Sequence, residues 1–287
     1  MGNRAISYFK MTQPVLWGVL VVTAILGFIL GSLLTHSFYT FRLILVIIAL
    51  ASGTAGCESI TNLIDLPADK VMNRTRHRPL VTREISAKTA IGIGTILLAT
   101  ALVLSFMLGL QFLGLMTFGI FDNIFIYSYW LKPRTYQNII WGSFAGAIPV
   151  LFGFLAADSA SLLVGFLLFM FVLFWTPPHI WSLAVKYTED YKKAKIPMLP
   201  TVFKENVWGS AIAVSSIAAV ILSFALIFEL GLSLFPMLLM IALNIIFMYL
   251  LTVFLIKPKA AALSFFNFLN IYLIAVLTVL ILNVIYF

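Results

Sequence analysis

Apolar residues in this chain run in long unbroken stretches, separated by short polar breaks and by two long ones. Nine runs can be drawn, at roughly 14–34, 41–62, 89–108, 110–130, 138–157, 160–181, 207–228, 232–255 and 263–286. Each is about 20 residues long, which as helix crosses about 30 Å of hydrocarbon. The runs are solidly apolar, not alternating, so they predict helices and exclude the strands of a membrane barrel. The break between the third and fourth runs rests on Gly109. The first run is too long for the apolar core of a secretory signal and lacks a convincing small-residue cleavage site, so it is expected to stay as helix 1. The two long polar loops, 63–88 and 182–206, each follow the second helix of a four-helix group, helices 1–4 and 5–8. This weak pseudo-repeat of layout places the loops opposite one another over a bundle cavity. With no linker, low-complexity segment or second core, residues 1–287 read as a single transmembrane domain.

Composition strengthens that picture. The chain is 62% hydrophobic and 10% charged, with mean hydropathy +1.10, which no water-soluble domain of this size shows. An all-α polytopic membrane protein is the predicted fold class. A net charge of +8 could suggest nucleic acid, but the placement of the charge argues otherwise. Of the 18 Lys and Arg residues, Arg42 alone falls on the side opposite the long loops. The positive-inside rule then puts the N-terminus and both long loops in the cytoplasm and the C-terminus outside, with no nucleic-acid partner. The outer loops keep little beyond His36, Asp158 and Glu229. The single cysteine, Cys57, lies inside helix 2, cannot form an intramolecular disulfide and reads as a small core residue.

Candidate chemistry gathers at the exit of helix 2. Glu58, Asn62, Asp65 and Asp69 are spaced by 4, 3 and 4, so they share one helix face. Glu58 lies within the apolar span, where a carboxylate normally faces a cavity or a partner. Pro67 can kink or end the helix and so displace Asp69 from the stripe. Arg74, Arg76 and Arg78 follow at once. Carboxylates with an amide suit Mg²⁺ that keeps water and phosphate in its shell, and arginines suit phosphate. Asn62, Asp65 and Asp69 are therefore the candidate metal ligands. Lys70, Arg74, Arg78, Lys132 and Arg134 are candidate diphosphate contacts; Lys132 and Arg134 also fit plain topology anchors.

A second constellation covers 174–200. Pro177 and Pro178 are expected to interrupt helix 6 near its cytoplasmic end, with His179 just after the break and Trp175 and Trp181 beside it. The cluster reads either as a wall for a large flat ligand or as an interfacial aromatic belt. Asp190 is the better second metal-side carboxylate and Glu189 the weaker one.

Three blocks resemble the UbiA superfamily of intramembrane prenyltransferases, and within it the branch that farnesylates haem. They are Asn62-x-x-Asp65-x-x-x-Asp69-x-x-Met72-x-Arg74-Thr75-x-x-Arg78-Pro79-Leu80; Tyr127-Ser-x-x-Leu131-Lys132-x-x-Thr135 with Asn138, Gly142 and Gly146-Ala147-x-Pro149; and Trp175-Thr-Pro-Pro-His179-x-Trp181 with Asp190-Tyr191 and Ile196-Pro-Met-Leu-Pro200. The first marks the superfamily; the third is specific to the haem branch. The resemblance implies nine helices around a central cavity, Mg²⁺ as cofactor at Asn62, Asp65, Asp69 and Asp190, and farnesyl diphosphate and haem b as substrates. It places the haem at His179, Trp175 and Trp181. It also implies a prokaryotic cell membrane and, downstream, a haem A synthase or terminal oxidase subunit. Two positions depart from the pattern. Thr61 stands where the superfamily has its first asparagine, with Asn62 one residue late, and Asp190 has Lys186 four residues before it where a second aspartate is usual. Asp122 in helix 4 has no expected counterpart. A quinone-precursor prenyltransferase and a proton-coupled transporter are the alternatives; intramembrane Glu58 and Asp122 would suit the latter.

Overall fold

A computed structural model describes residues 2–157, 161–231 and 233–286. Asp158 and the predicted starts of the sixth and eighth spans, at 160 and 232, lie outside the described residues. Among the described residues nine helices are long and apolar enough to cross a membrane. They are α1 Pro14–Leu34, α2 Thr40–Ile64, α3 Ala87–Leu108, α4 Leu110–Leu131, α5 Asn138–Ala156, α6 Leu162–Lys186, α7 Glu205–Glu229, α8 Leu234–Ile256 and α9 Pro258–Tyr286. No strand occurs among these residues. A short helix, Gly2–Met11, precedes α1.

The break at Gly109 is real and has a local cause. Its φ of 136° is open to glycine and strained for any other residue, and it separates α3 from α4. Ser86 caps α3, its Oγ accepting the Thr89 N–H at 3.1 Å. α9 starts at Pro258, earlier than the predicted 263, because proline suits the first helical turn.

The expected interruption of helix 6 does not occur: α6 runs through Pro177 and Pro178 to Lys186. Each proline lacks an N–H, which frees the carbonyl four residues earlier. The freed Phe174 carbonyl accepts Ser215 Oγ of α7 at 2.7 Å. Trp175 Nε1 donates to the Leu269 carbonyl of α9 at 2.9 Å. Ser215 thus satisfies the carbonyl freed by Pro178, and the two bonds tie this stretch of α6 to α7 and α9.

Packing follows the rules of helices in lipid. Gly27 and Gly31 on α1 meet α5 so closely that a Cβ on Gly31 would lie 2.7 Å from the Phe154 carbonyl, and one on Gly153 would run into the Ala24 carbonyl. Small residues let these backbones touch. The largest buried cluster joins α5 to α9, and a second joins α1 to α5. Away from the loops, Tyr272 donates to Asn244 at 2.7 Å and Asn244 donates to Ser223 at 3.0 Å, a satisfied polar tie among α7, α8 and α9.

Candidate active site

At the exit of α2 the chain keeps a nearly helical course through Pro67. The Asp65 N–H donates to Thr61 and the Asp69 N–H to Asp65, each at 2.8 Å. Pro67 sits in the first turn of the short helix Leu66–Asp69, where its missing N–H costs little. Asp69 therefore stays on the stripe. Glu58, Asn62 and Asp69 are all buried, and one nitrogen of Arg78 joins two of them. Arg78 Nη1 donates to Asn62 Oδ1 at 3.0 Å and to Asp69 Oδ2 at 2.8 Å. Asp65 is ion-paired with Lys132 from the segment after α4.

A helical irregularity delivers Lys132. Residues Asp122–Leu131 form a π-helix, whose hydrogen bonds close five residues back, as in Lys132 N–H to the Tyr127 carbonyl at 2.8 Å. Residues five apart then stand one turn above each other, and the Lys132 ammonium lies 5.5 Å from the centre of the Tyr127 ring. Burial alone would pull the Lys132 pKa down. The Asp65 carboxylate, Tyr127 and the hydrogen bond to Asp65 outweigh burial and hold it above the usual lysine value. Asp122 opens this segment and has a partner in α5, the Ala145 N–H, at 3.1 Å. Its place in the sequence is thus accounted for as a tie between α4 and α5.

Arg134 stands apart from these groups. Its Nη1 donates to the carbonyls of Tyr129 at 2.9 Å and Trp130 at 2.8 Å, closing the end of the π segment. Lys70 and Arg76 are exposed.

The loop after α6 meets the first loop, as the layout predicted. Asp190 lies in a short helix, Thr188–Lys193, and is buried. Its Oδ1 accepts from Asn73 Nδ2 at 3.3 Å and its Oδ2 from the Arg74 N–H at 3.1 Å. The Arg74 guanidinium lies 5.5 Å from the Tyr187 ring centre, with its buried Nε unpartnered. Glu189 points outward to Lys192.

His179 is clamped between two rings, Trp175 at 4.5 Å and Phe266 of α9 at 4.3 Å, both within 18° of parallel. His179 Nδ1 and Trp181 Nε1 are buried without hydrogen-bond partners. This aromatic stack joins α6 to α9.

Several residues had no signal in the sequence. Gln13 donates through Nε2 to the Glu58 carboxylate and to Asn62 Oδ1 at 3.2 Å, and accepts Arg78 Nη2 at 3.4 Å. The Met11 carbonyl accepts Asn62 Nδ2 at 2.7 Å. Asn73, Tyr187 and Phe266 were equally silent, since each acts through a partner remote in sequence. A small cleft is lined by Lys10, Gln13, Asn62, Asp69 and Arg78, among others. The donors here are hard oxygens beside cations, which fits Mg²⁺ and phosphate. Among the described residues no group of three or more His, Cys, Asp or Glu forms a ready metal cage. Mg²⁺ bound through one or two carboxylates and substrate phosphates needs none.

The model of the UbiA prenyltransferase family matches residues 19–274. The protoheme IX farnesyltransferase of Thermoplasma acidophilum is 36% identical over 228 residues, which cover 79% of this chain and 78% of that one. A chain solved in work on digeranylgeranylglyceryl phosphate synthase in membranes superposes with TM-score 0.82 at 20% identity, covering 99% of this chain and 100% of that one. A UbiA homologue from Archaeoglobus fulgidus, bound to GPP and Mg²⁺, gives TM-score 0.65 at 17% identity over 96% and 99% of the two chains. At such identities the solved structures speak for the fold.

Proposed function

The chain belongs to the UbiA prenyltransferase family, and on that footing we propose that it is a haem b farnesyltransferase of the haem O synthase type. It transfers the farnesyl group of farnesyl diphosphate to a vinyl group of haem b, and its cofactor is Mg²⁺. The observation that carries this reading is the pairing at the mouth of an apolar bundle: Arg78 on Asn62 and Asp69, Lys132 on Asp65. Carboxylates and cations that face each other there can exchange partners, the carboxylates for Mg²⁺ and the cations for diphosphate.

Asp65, Asp69 and Asn62 would hold the metal, and Asp190, taken up by Asn73 and the Arg74 N–H, would steady the first loop from the facing one. Bound there, Mg²⁺ supplies charge neutralisation as the allylic C–O bond breaks. Arg78 and Lys132 are placed to neutralise the diphosphate oxygens, with Lys70 and Arg74 as further cations from the same loop. The C–O electron pair leaves with pyrophosphate. The vinyl group attacks the freed allylic carbon, water adds to the resulting porphyrin-side cation, and a proton is lost. No side-chain nucleophile is required, and apolar walls keep bulk water away until the carbon–carbon bond forms. His179, Trp175 and Trp181 form the aromatic wall proposed for the porphyrin. The loop face is assigned to the cytoplasm of a prokaryotic cell, and a haem A synthase or terminal oxidase subunit is the natural consumer of the product.

Mass spectrometry of haem extracted after incubation of purified protein with haem b, farnesyl diphosphate and Mg²⁺ tests the reaction. A haem heavier by one farnesyl group plus water is expected. Unmodified haem, with a prenylated quinone precursor formed in parallel, would transfer the chemistry to another acceptor. His179→Phe tests the wall: the ring stack survives, so the melting temperature should hold while turnover of haem falls.

A further inference from the structure

Gln13 lies outside every sequence motif, on the turn between the helix Gly2–Met11 and α1. Its backbone is left-handed, with φ 53° and ψ 64°, and proline follows it. An L side chain is unfavourable in this region, the residue before proline is further restricted, and glycine would sit there freely. The side chain supplies the reason for a glutamine. Its amide N–H groups reach Glu58 and Asn62, and its oxygen accepts from Arg78. Two residues earlier the Met11 carbonyl takes the Asn62 amide nitrogen at 2.7 Å.

These contacts settle which way Asn62 faces. Its nitrogen points to the N-terminal turn, and its oxygen points to Arg78, beside Asp69. The opposite flip would set an N–H group against the Arg78 guanidinium, donor against donor. The turn itself is pinned: Met11 is buried with Leu80, Ile85 and Ala90, and Ser7 donates to Glu84. The same turn thus reaches Glu58 inside the bundle and Arg78 in the loop.

We propose that Gln13 is a positioning residue of the prenyl diphosphate site. It holds Asn62, Glu58 and Arg78 in one register, so that the Asn62 oxygen and the Asp69 carboxylate present a common face to Mg²⁺ and diphosphate. The inference rests on the metal–diphosphate reading of Asn62, Asp65 and Asp69. It makes the N-terminal turn part of the site.

The test measures binding, apart from turnover. Farnesyl thiodiphosphate, which resists ionisation, is titrated with Mg²⁺ into full-length detergent-purified protein by calorimetry, and the ligand-free melting temperature is recorded. Gln13→Gly should weaken binding about 10- to 100-fold, the usual cost of losing a residue that orients a metal ligand. Its ligand-free melting temperature should fall by no more than a few degrees, because relief of the left-handed turn offsets part of the lost hydrogen bonding. Gln13→Glu sets a second carboxylate beside Glu58 and should bind worse still. Adding Glu58→Gln to that variant restores an amide–carboxylate pair and should tighten binding about 10-fold, the value of a hydrogen bond regained to a charged group. Wild-type affinity in Gln13→Gly, or no recovery in the double variant, would overturn the inference. If wild-type protein binds the analogue, Gln13→Gly does not, and haem still stays unmodified, then the inference holds and the haem reading falls instead.

Discussion

The loops after α2 and α6 each leave the second helix of a four-helix group, and each buries an aspartate, yet the two aspartates are held by different kinds of donor. Asp69 is held by a guanidinium at 2.8 Å, a cation on a long side chain that can move to a phosphate. Asp190 is held by neutral donors, the Asn73 amide and the Arg74 backbone N–H. Releasing Asp69 requires a rotamer change in Arg78. Releasing Asp190 requires undoing the turn at residues 73–74. The pseudo-repeat therefore preserves a layout while dividing the labour: exchangeable charge in the first loop, a clasp in the second.

Substitutions can break this contrast. The largest effect is expected for Asp69→Asn, which removes the charge that both Arg78 and Mg²⁺ would answer. Turnover should fall by about 10²–10³-fold or more, with little change in melting temperature. Near-normal turnover of the purified variant would sink the metal assignment. Next in size, Lys132→Met leaves the Asp65 carboxylate, 15% exposed, without its cation. A stability loss of about 3 kcal/mol is expected in detergent unfolding, and Asp65→Leu in the same background should recover most of it.

A sharper and smaller effect comes from Asp190. Asp190→Asn keeps an acceptor for the Arg74 N–H and should stay within a few-fold of wild-type turnover, whereas Asp190→Ala should lose about 10-fold, the cost of one stranded buried donor. Equal and severe loss in both would make Asp190 a metal ligand and the two loops alike after all.

The smallest effects concern pH and touch the first loop only. Hydrogen bonds from Ser7, then Thr82, hold the exposed Glu84 below the usual carboxylate pKa. A depressed folded pKa contributes stability above the unfolded value of about 4.3, and that contribution fades as pH falls through the folded value. Amide protection factors over residues 2–11, referred to the intrinsic exchange rate at each pH, should therefore fall as the Glu84 carboxylate protonates. The raised Lys132 pKa works the other way: its contribution is complete below the unfolded lysine value of about 10.4 and is lost only above it. Lys132 should then add no slope to stability between about pH 6 and 9.

Much of the arrangement was legible beforehand because it depends on local quantities. Apolar run length located nine helices, and Gly109 located the one doubtful boundary. The 4, 3, 4 spacing put Glu58, Asn62, Asp65 and Asp69 on one face, and Pro67 did not disturb it because a proline is tolerated in a first turn. Pro177 and Pro178 misled for a non-local reason. Their freed carbonyl at Phe174 is satisfied by Ser215, a residue on another helix. Arg134, plausible beside Lys132 in sequence, turns back to cap its own helix end.

Sequence by itself determined that this chain is a multi-pass membrane protein, where the nine candidate spans among the described residues lie, and that carboxylates and arginines gather at the exit of α2. Those outcomes sum over residues that are near one another, so hydropathy and helical period suffice. Only the tertiary structure decided how each polar group is used: Arg78 bridging Asn62 to Asp69, Asp190 clasping residues 73–74, Gln13 reaching Glu58 from the N-terminal turn. A hydrogen bond is specified by the position and direction of both partners. For these groups the partner arrives from another helix or loop, 9 to 117 residues away in the chain.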